Sequence, residues 1–347
     1  MEATIVTFRR VWVAKHRRGH QRGKDFWRGG LRVGRKYGII YAMQDSRSKK
    51  VAVVGIVGRT NAGKSTLVNQ LVGEKVSIVS PVEQTTRNTV RGIVADERGQ
   101  LVLLDTPGLH KAVGVLGTLL NRMARRSAAG VDILCVVFDA GEAPQLEDIG
   151  WMQRVAKEAP EKVVFVLNKA DMKPFYSTMY HEAWEEAKKE SVVEPVWVEA
   201  ISTKAEGVAG VMDALFDFAE EGEALFPEDI VTDYPRKLTI ADVVREKYLA
   251  KLHQELPHEL GVLVKEIKDD TNRWDVTVEV LVNRPSQKPI VIGRGAETVK
   301  YVRQCSEREL KQIFGLKVAL EIWVKVEPNW MKNEKILTEM GYMGGLV

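Results

Sequence analysis

"GRTNAGKST", residues 58 to 66, is the stretch that decides the fold. It meets GxxxxGKS through Gly58, Gly63, Lys64 and Ser65, follows the apolar run "VAVVGIV" (51–57), and opens a segment of helical spacing at 64–72. Strand, glycine-rich turn and helix in that order form a phosphate cradle. The glycines let backbone N–H groups approach phosphate oxygens, and the helix N-terminus adds a favourable dipole. Lys64 is expected to reach the β- and γ-phosphates and the Ser65 hydroxyl to ligate magnesium, with Asn61, Ala62 and Thr66 completing the nucleotide loop.

Downstream, "LVLLD" (101–105), "DILCVVFDA" (132–140), "KVVFVLNKAD" (162–171) and "EPVWVEAIS" (194–202) are short Val-rich runs that do not alternate. Such runs read as parallel strands buried on both faces, and 145–159 and 178–190 between them have helical spacing. The expectation is a doubly wound α/β domain over 43–222 with a mostly parallel sheet. The acidic, proline-containing stretch 223–237 reads as a linker. After it come a helix at 240–256, near-alternating strands at 261–270 and 273–282, a helix from about 297 to 314 and a strand at 317–326. That order predicts a smaller α+β domain over 238–326 with its own core, and 327–347 remains as a C-terminal tail.

Four further motifs say which nucleotide and how it is sensed. "DTPG" ends a strand with Asp105, placed to hold magnesium through water, while Thr106, Pro107 and Gly108 begin a loop whose Gly108 N–H can bond a γ-phosphate. "QTTRN" (84–88) offers a threonine to the magnesium shell, and Thr86, followed directly by Arg87, is favoured over Thr85. In "NKAD" the two carboxylate oxygens of Asp171 match the N1–H and N2–H donors of guanine, whereas adenine presents an acceptor there. Asn168 would tie the loops together, Lys169 would lie along the base, and Ser202, Thr203 and Lys204 of "ISTK" would approach guanine O6. The ligands are therefore GTP and GDP with Mg2+, and Lys64, Thr86 and Gly108 are the residues expected to act at the γ-phosphate. Leu109 and His110 stand where a water-orienting glutamine often stands, so intrinsic turnover should be slow. A partner, His110, or K+ held by Asn61 would raise it.

Composition excludes several classes. Two cysteines, Cys135 and Cys305, make neither a disulfide framework nor a metal site, and they suit a reducing compartment. No apolar stretch is long enough to span a bilayer. The net charge of +4 conceals a basic start, with 14 Lys and Arg against 3 Asp and Glu in residues 1–50. The leader 1–42 admits three readings: an organelle targeting sequence, against which the scarcity of serine counts, a basic arm for RNA phosphates, or untranslated sequence before a start at Met43.

Taken together, the nucleotide motifs and "TDYPRKLTIADVVREKYL" (232–249), "NRPSQKPIVIGRGAETVK" (283–300) and "LEIWVKVEPNW" (320–330) resemble the Era GTPases. The resemblance runs from about Val51 to Tyr342. It implies a G domain joined to a type II KH domain, binding of the 3′ end of 16S rRNA, assistance to 30S subunit assembly, a cytoplasmic monomer, and peripheral contact with the inner membrane. It also resembles the potassium-stimulated subgroup that lacks the glutamine. In a KH domain a GxxG turn between two helices lets the RNA backbone pack closely. Here the turn is Gly293, Arg294, Gly295 and Ala296, with alanine in place of the last glycine, and Lys288 and Lys300 are the suitable phosphate-binding neighbours. The added methyl should weaken close approach, more so if the position needs positive φ. Two other readings stand beside the switch: an RNA-binding module with a mainly structural nucleotide site, and a GTPase whose KH domain has lost RNA affinity through Ala296.

Overall fold

Every apolar run named in the first half forms a strand. A computed structural model describes residues 49–80, 85–108, 114–127, 130–189, 191–252 and 256–342. The leader, Gln84, Leu109 and His110 lie outside the described residues. The first domain comprises β1 (Lys50–Val57), α1 (Lys64–Val72), β2 (Val90–Asp96), β3 (Gly99–Asp105), α2 (Gly114–Ser127), β4 (Ile133–Asp139), α3 (Leu146–Glu158), β5 (Val163–Asn168), α4 (Ser177–Lys188), β6 (Val196–Ala200), α5 (Val208–Phe218) and the short β7 (Glu220–Glu221). The sheet order is β2-β3-β1-β4-β5-β6, with β7 antiparallel to the start of β1.

β3, β4 and β5 are buried at every position. Leu67, Leu71, Val211 and Leu215 pack under one face of the sheet, and Trp151, Trp184, Phe138 and Phe165 under the other. Full burial of such side chains is worth about 1.5–3 kcal/mol each, so a strand between two helical layers carries apolar residues throughout. Two strands depart from the reading. β2, which no uninterrupted run announced, is an antiparallel edge strand on β3 with Arg91 and Asp96 among its residues. β6 is the other edge, and Val196 and Glu199 are exposed there.

The stretch expected to be a linker is fastened to the first domain. Buried Gln100 accepts from the N–H groups of Leu225 and Phe226 and donates to the Phe226 carbonyl. Ile93 N–H donates to Val231 O, and Arg91 pairs with Asp233 at 2.5 Å. The second domain follows as α6 (Arg236–Leu249), α7 (Leu256–Glu259), β8 (Gly261–Asp270), β9 (Arg273–Val282), α8 (Lys288–Ile292), α9 (Glu297–Phe314) and β10 (Lys317–Val326). α6 starts four residues earlier than expected and ends at Leu249 rather than 256; Pro235, at ψ 132°, stands just outside it and its carbonyl accepts from the Leu238 and Thr239 N–H groups of the first turn. In the sheet β10 is parallel and β8 antiparallel to the central β9. Val276, Val278, Val280, Leu320 and Val324 turn one face toward Ile240, Val244, Val302 and Leu310 of the helices.

Beyond β10 the chain stays packed through Tyr342. Trp330 is fully buried and donates its indole N–H to Glu259 O at 2.9 Å. It shares a third core with Leu263 and Leu281 of the sheet, Leu337 of α10 (Glu334–Glu339), and Leu116 and Leu120 of α2. The opposite face of the small sheet is thus joined to the first domain.

Candidate functional site

A cavity of about 720 Å³ opens where β1, β4 and β5 end and their following loops converge, the place at which doubly wound sheets hold ligands. Asn61, Gly63, Lys64, Ser65, Thr66, Thr86, Gly108, Asn168, Lys169, Asp171, Ser202 and Thr203 all line it. The phosphate loop has its shape because of two glycines. At Gly58, φ 144°, a Cβ would sit 2.2 Å from Val137 O, and at Gly63, φ 95°, it would sit 2.1 Å from Asn168 Nδ2. Lys64 is 6% exposed and donates to Arg59 O at 2.7 Å. Burial lowers its pKa to about 8 against the opposing pull of Asp105.

The oxygen donors expected around magnesium are adjacent. Ser65 Oγ and Thr86 Oγ1 lie 2.8 Å apart. Both carboxylate oxygens of Asp105 are buried without a hydrogen bond of ordinary geometry, and burial pushes the pKa of this group up. Ser65, Ser77 and the Lys64 charge offset part of that burial cost, and a further cation would offset more. Two hydroxyls and a carboxylate form the hard, oxygen-only set that suits Mg2+. The residues therefore fit the metal. Thr106 is buried and spends its hydroxyl on Ile56 O at 2.9 Å, which leaves only its backbone for a ligand. Pro107 is buried beside it. A Cβ on Gly108 would come within 2.7 Å of Thr60 N and 2.9 Å of Lys64 Nζ, so this loop already lies against the phosphate loop.

At the base end, Asn168 joins three segments. Its Nδ2 donates to the carbonyl of buried Ala62 at 2.8 Å, and its Oδ1 accepts from the Ser202 N–H at 3.1 Å and hydroxyl at 2.9 Å. β5 stops at Asn168, Lys169 takes φ 62°, and Asp171 lies in the ensuing turn with its Oδ2 2.8 Å from Lys204 Nζ. That hydrogen bond holds the exposed Asp171 carboxyl below the usual carboxylate range. Sequence reasoning missed the charged layer behind this end. Arg59 pairs with Glu142 at 2.8 Å, Asp148 at 3.1 Å and Asp139 at 3.3 Å, and Lys169 Nζ is 2.5 Å from Asp139. The available signal was Asp139 at the end of β4, an acid closing an otherwise apolar strand.

The second site is the turn between α8 and α9. Gly293 takes φ 78° and ψ 163°, and a Cβ there would lie 2.4 Å from Thr298 Oγ1. Gly295 (φ 57°) and Ala296 (φ 63°) are both left-handed, and nothing lies within 4 Å of a Cβ on Gly295. Ala296 therefore occupies the positive-φ position that the sequence reading named as the costlier case. Lys300 Nζ donates back to Gly295 O at 3.2 Å, while Lys288 and Arg294 are exposed. Ile290, 56% exposed on α8, adds an apolar neighbour that sequence reading passed over.

Comparison with known proteins divides the chain in the same way. Residues 53–169 match the family described as 50S ribosome-binding GTPase, and residues 255–331 match the KH domain family. The chain is 34% identical over 298 residues to GTPase Era of Caldanaerobacter subterraneus subsp. tengcongensis, covering 84% of this chain and 98% of that protein. It is 33% identical over 297 residues to GTPase Era of Carboxydothermus hydrogenoformans, covering 85% and 98%. Among solved structures it resembles Era in complex with MgGDPNP and nucleotides 1506–1542 of 16S ribosomal RNA, with TM-score 0.78, 34% identity, and coverage of 85% of this chain and 99% of that one. A second is a point variant of Aquifex aeolicus Era bound to GDP.AlF4-, with TM-score 0.77 and 34% identity over 84% of this chain and 99% of that one.

Proposed function

The chain belongs to the Era family of GTPases, and on that premise we propose that it is a GTP-hydrolysing switch that binds the 3′ end of 16S rRNA through its KH domain and assists assembly of the 30S subunit. The observation that carries this is the convergence of the phosphate loop, Thr86, Gly108, Asp171 and Ser202 on one cavity. Asp171 accepts from N1–H and N2–H of guanine once Lys204 yields, and Lys169 and the "STK" backbone flank the base. Lys64, charged below pH of about 8, turns from Arg59 O to the β- and γ-phosphates. Gly108 meets the γ-phosphate through its N–H. Ser65, Thr86 and Asp105 would hold Mg2+, which when bound neutralises phosphate charge.

In hydrolysis a water oxygen bonds to the γ-phosphorus, the bond to the β–γ bridging oxygen breaks, and GDP and phosphate leave. Leu109 has no group to orient that water, so the intrinsic rate is slow; K+ held by Asn61 would raise it. The RNA backbone packs over Gly293 and Gly295, with Arg294, Lys288 and Lys300 meeting phosphates. The reading further includes a monomer in the cytoplasm with peripheral contact at the inner membrane. None of the described helices is long and apolar enough to cross a bilayer, so that contact would be made by the surface.

Nucleotide competition with Asp171→Asn tests the guanine assignment. The variant should lose at least about 1.4 kcal/mol of preference for GTP over XTP, a factor of ten, and gain affinity for XTP. Unchanged GTP affinity would remove Asp171 from the site.

A further inference from the structure

We propose that Arg87 and Arg245 are positioning residues that make the KH domain part of the GTP-hydrolysing site, an inference that rests on the GTPase reading above. Thr86 is the residue whose hydroxyl faces Ser65, and each named neighbour of it is bonded to the second domain. Arg87 is 1% exposed, and its Nη1 and Nη2 donate to Leu260 O and His258 O, both at 2.9 Å. In the other direction Arg245 of α6, also 1% exposed, donates Nη2 to Thr85 O and pairs with Asp242 at 3.4 Å. Asp242 is held in turn by the Tyr234 hydroxyl at 2.8 Å. Asn88 Nδ2 donates to Met340 O at 3.1 Å.

Residues 85, 87 and 88 thus carry bonds across the domain boundary while Thr86 between them points at the magnesium side. Neighbouring residues of an extended chain stand about 3.3–3.6 Å apart, so slipping by one of these bonds would move the Thr86 hydroxyl out of reach of Ser65. An apolar contact would stabilise the same boundary at least as well as a buried guanidinium. What the arginines add is direction: they fix the register of the loop. Because coupling in binding is reciprocal, a ligand that holds Thr86 also holds the KH domain in this docking, and RNA that favours this docking tightens the triphosphate.

In the proposed reading Thr86 acts at the γ-phosphate, so GDP, which lacks that group, should be far less sensitive to the clamp than GDPNP. The test is titration of the full chain, with magnesium, against GDP and against GDPNP, together with single-turnover GTP hydrolysis. Arg245→Met and Arg87→Met should each weaken GDPNP about tenfold, the size of one lost charged hydrogen bond, and slow hydrolysis similarly. GDP affinity should stay within about twofold, and Arg87→Lys and Arg245→Lys, which keep the charge but not the planar fork of donors, should fall between. If the methionine variants do not fold, the lysine variants carry the decision alone. Equal losses for GDP and GDPNP, or no loss, would overturn the inference while leaving the GTPase reading intact. Failure of the unmodified chain to bind guanine nucleotides would overturn both.

Discussion

Replacing Ala296 with glycine should make the protein more stable. Ala296 holds φ 63° and ψ 26° at the start of α9, directly after Gly295 at φ 57°. For an L-residue the left-handed region costs about 1–2 kcal/mol, from Cβ against the following carbonyl. Glycine avoids that term but loses about 0.5–1 kcal/mol more backbone entropy on folding. The balance favours glycine by roughly 0.5–1 kcal/mol, and the preference for glycine over alanine at a helix N-cap acts in the same direction. Gly295→Ala is the mirror experiment. Its Cβ would meet nothing within 4 Å, so the net loss of roughly 0.5–1 kcal/mol, from the same two terms with the sign reversed, would be purely conformational. Urea denaturation followed by tryptophan fluorescence reads both, since Trp274 and Trp330 are buried in the second domain. The midpoint should rise for Ala296→Gly and fall for Gly295→Ala with the slope unchanged. The same glycine should also tighten binding of an oligonucleotide copying the 3′ end of 16S rRNA. A lower midpoint for Ala296→Gly would refute the assignment of strain to this turn, whatever the RNA result.

Two other perturbations act at the nucleotide site. Lys64 is a base whose folded pKa, about 8, lies below its unfolded value of 10.5. Below pH 8 both states hold the proton and the burial penalty stands in full; between the two values only the unfolded chain holds it, so this group's contribution to nucleotide-free stability improves as pH rises. Nucleotide binding runs the opposite way, because phosphates need the ammonium, and GDP affinity should fall about tenfold per pH unit above about 8 in calorimetric titrations. A flat affinity from about pH 7 to 9.5 would show that Lys64 stays charged. Gly63→Ala would drive a methyl to within 2.1 Å of Asn168 Nδ2, break the bond to Ala62 O, and weaken GDP by at least about a hundredfold. Retained affinity would show that the loop relaxes.

The parallel strands were legible because burial on both faces forces uninterrupted apolar runs, and the P-loop because only glycine fits at Gly58 and Gly63. β2 was not legible. Its place at the edge tolerates Arg91 and Asp96, so no run of one kind marks it. The motif residues converge on one cavity, but what lies behind them was hidden. Arg59, Asp139 and Asp148 are far apart in sequence, and their pairing follows from how α3 packs on the sheet. Arg87 and Arg245 were hidden for the same reason. Each looks like a surface charge in sequence, and only the docking of two domains, helped by Trp330 in a stretch read as a tail, buries them.

The most direct test is fluorescence anisotropy of a labelled oligonucleotide copying the 3′ end of 16S rRNA. It would be titrated with the full chain in GDP, in GDPNP and without nucleotide. Coupling through the loop around Thr86 predicts tighter binding in GDPNP than in GDP, by a factor that falls toward one in Arg245→Met. Equal binding in all three states would contradict the switch, and would leave an RNA-binding protein whose nucleotide site does not speak to its KH domain.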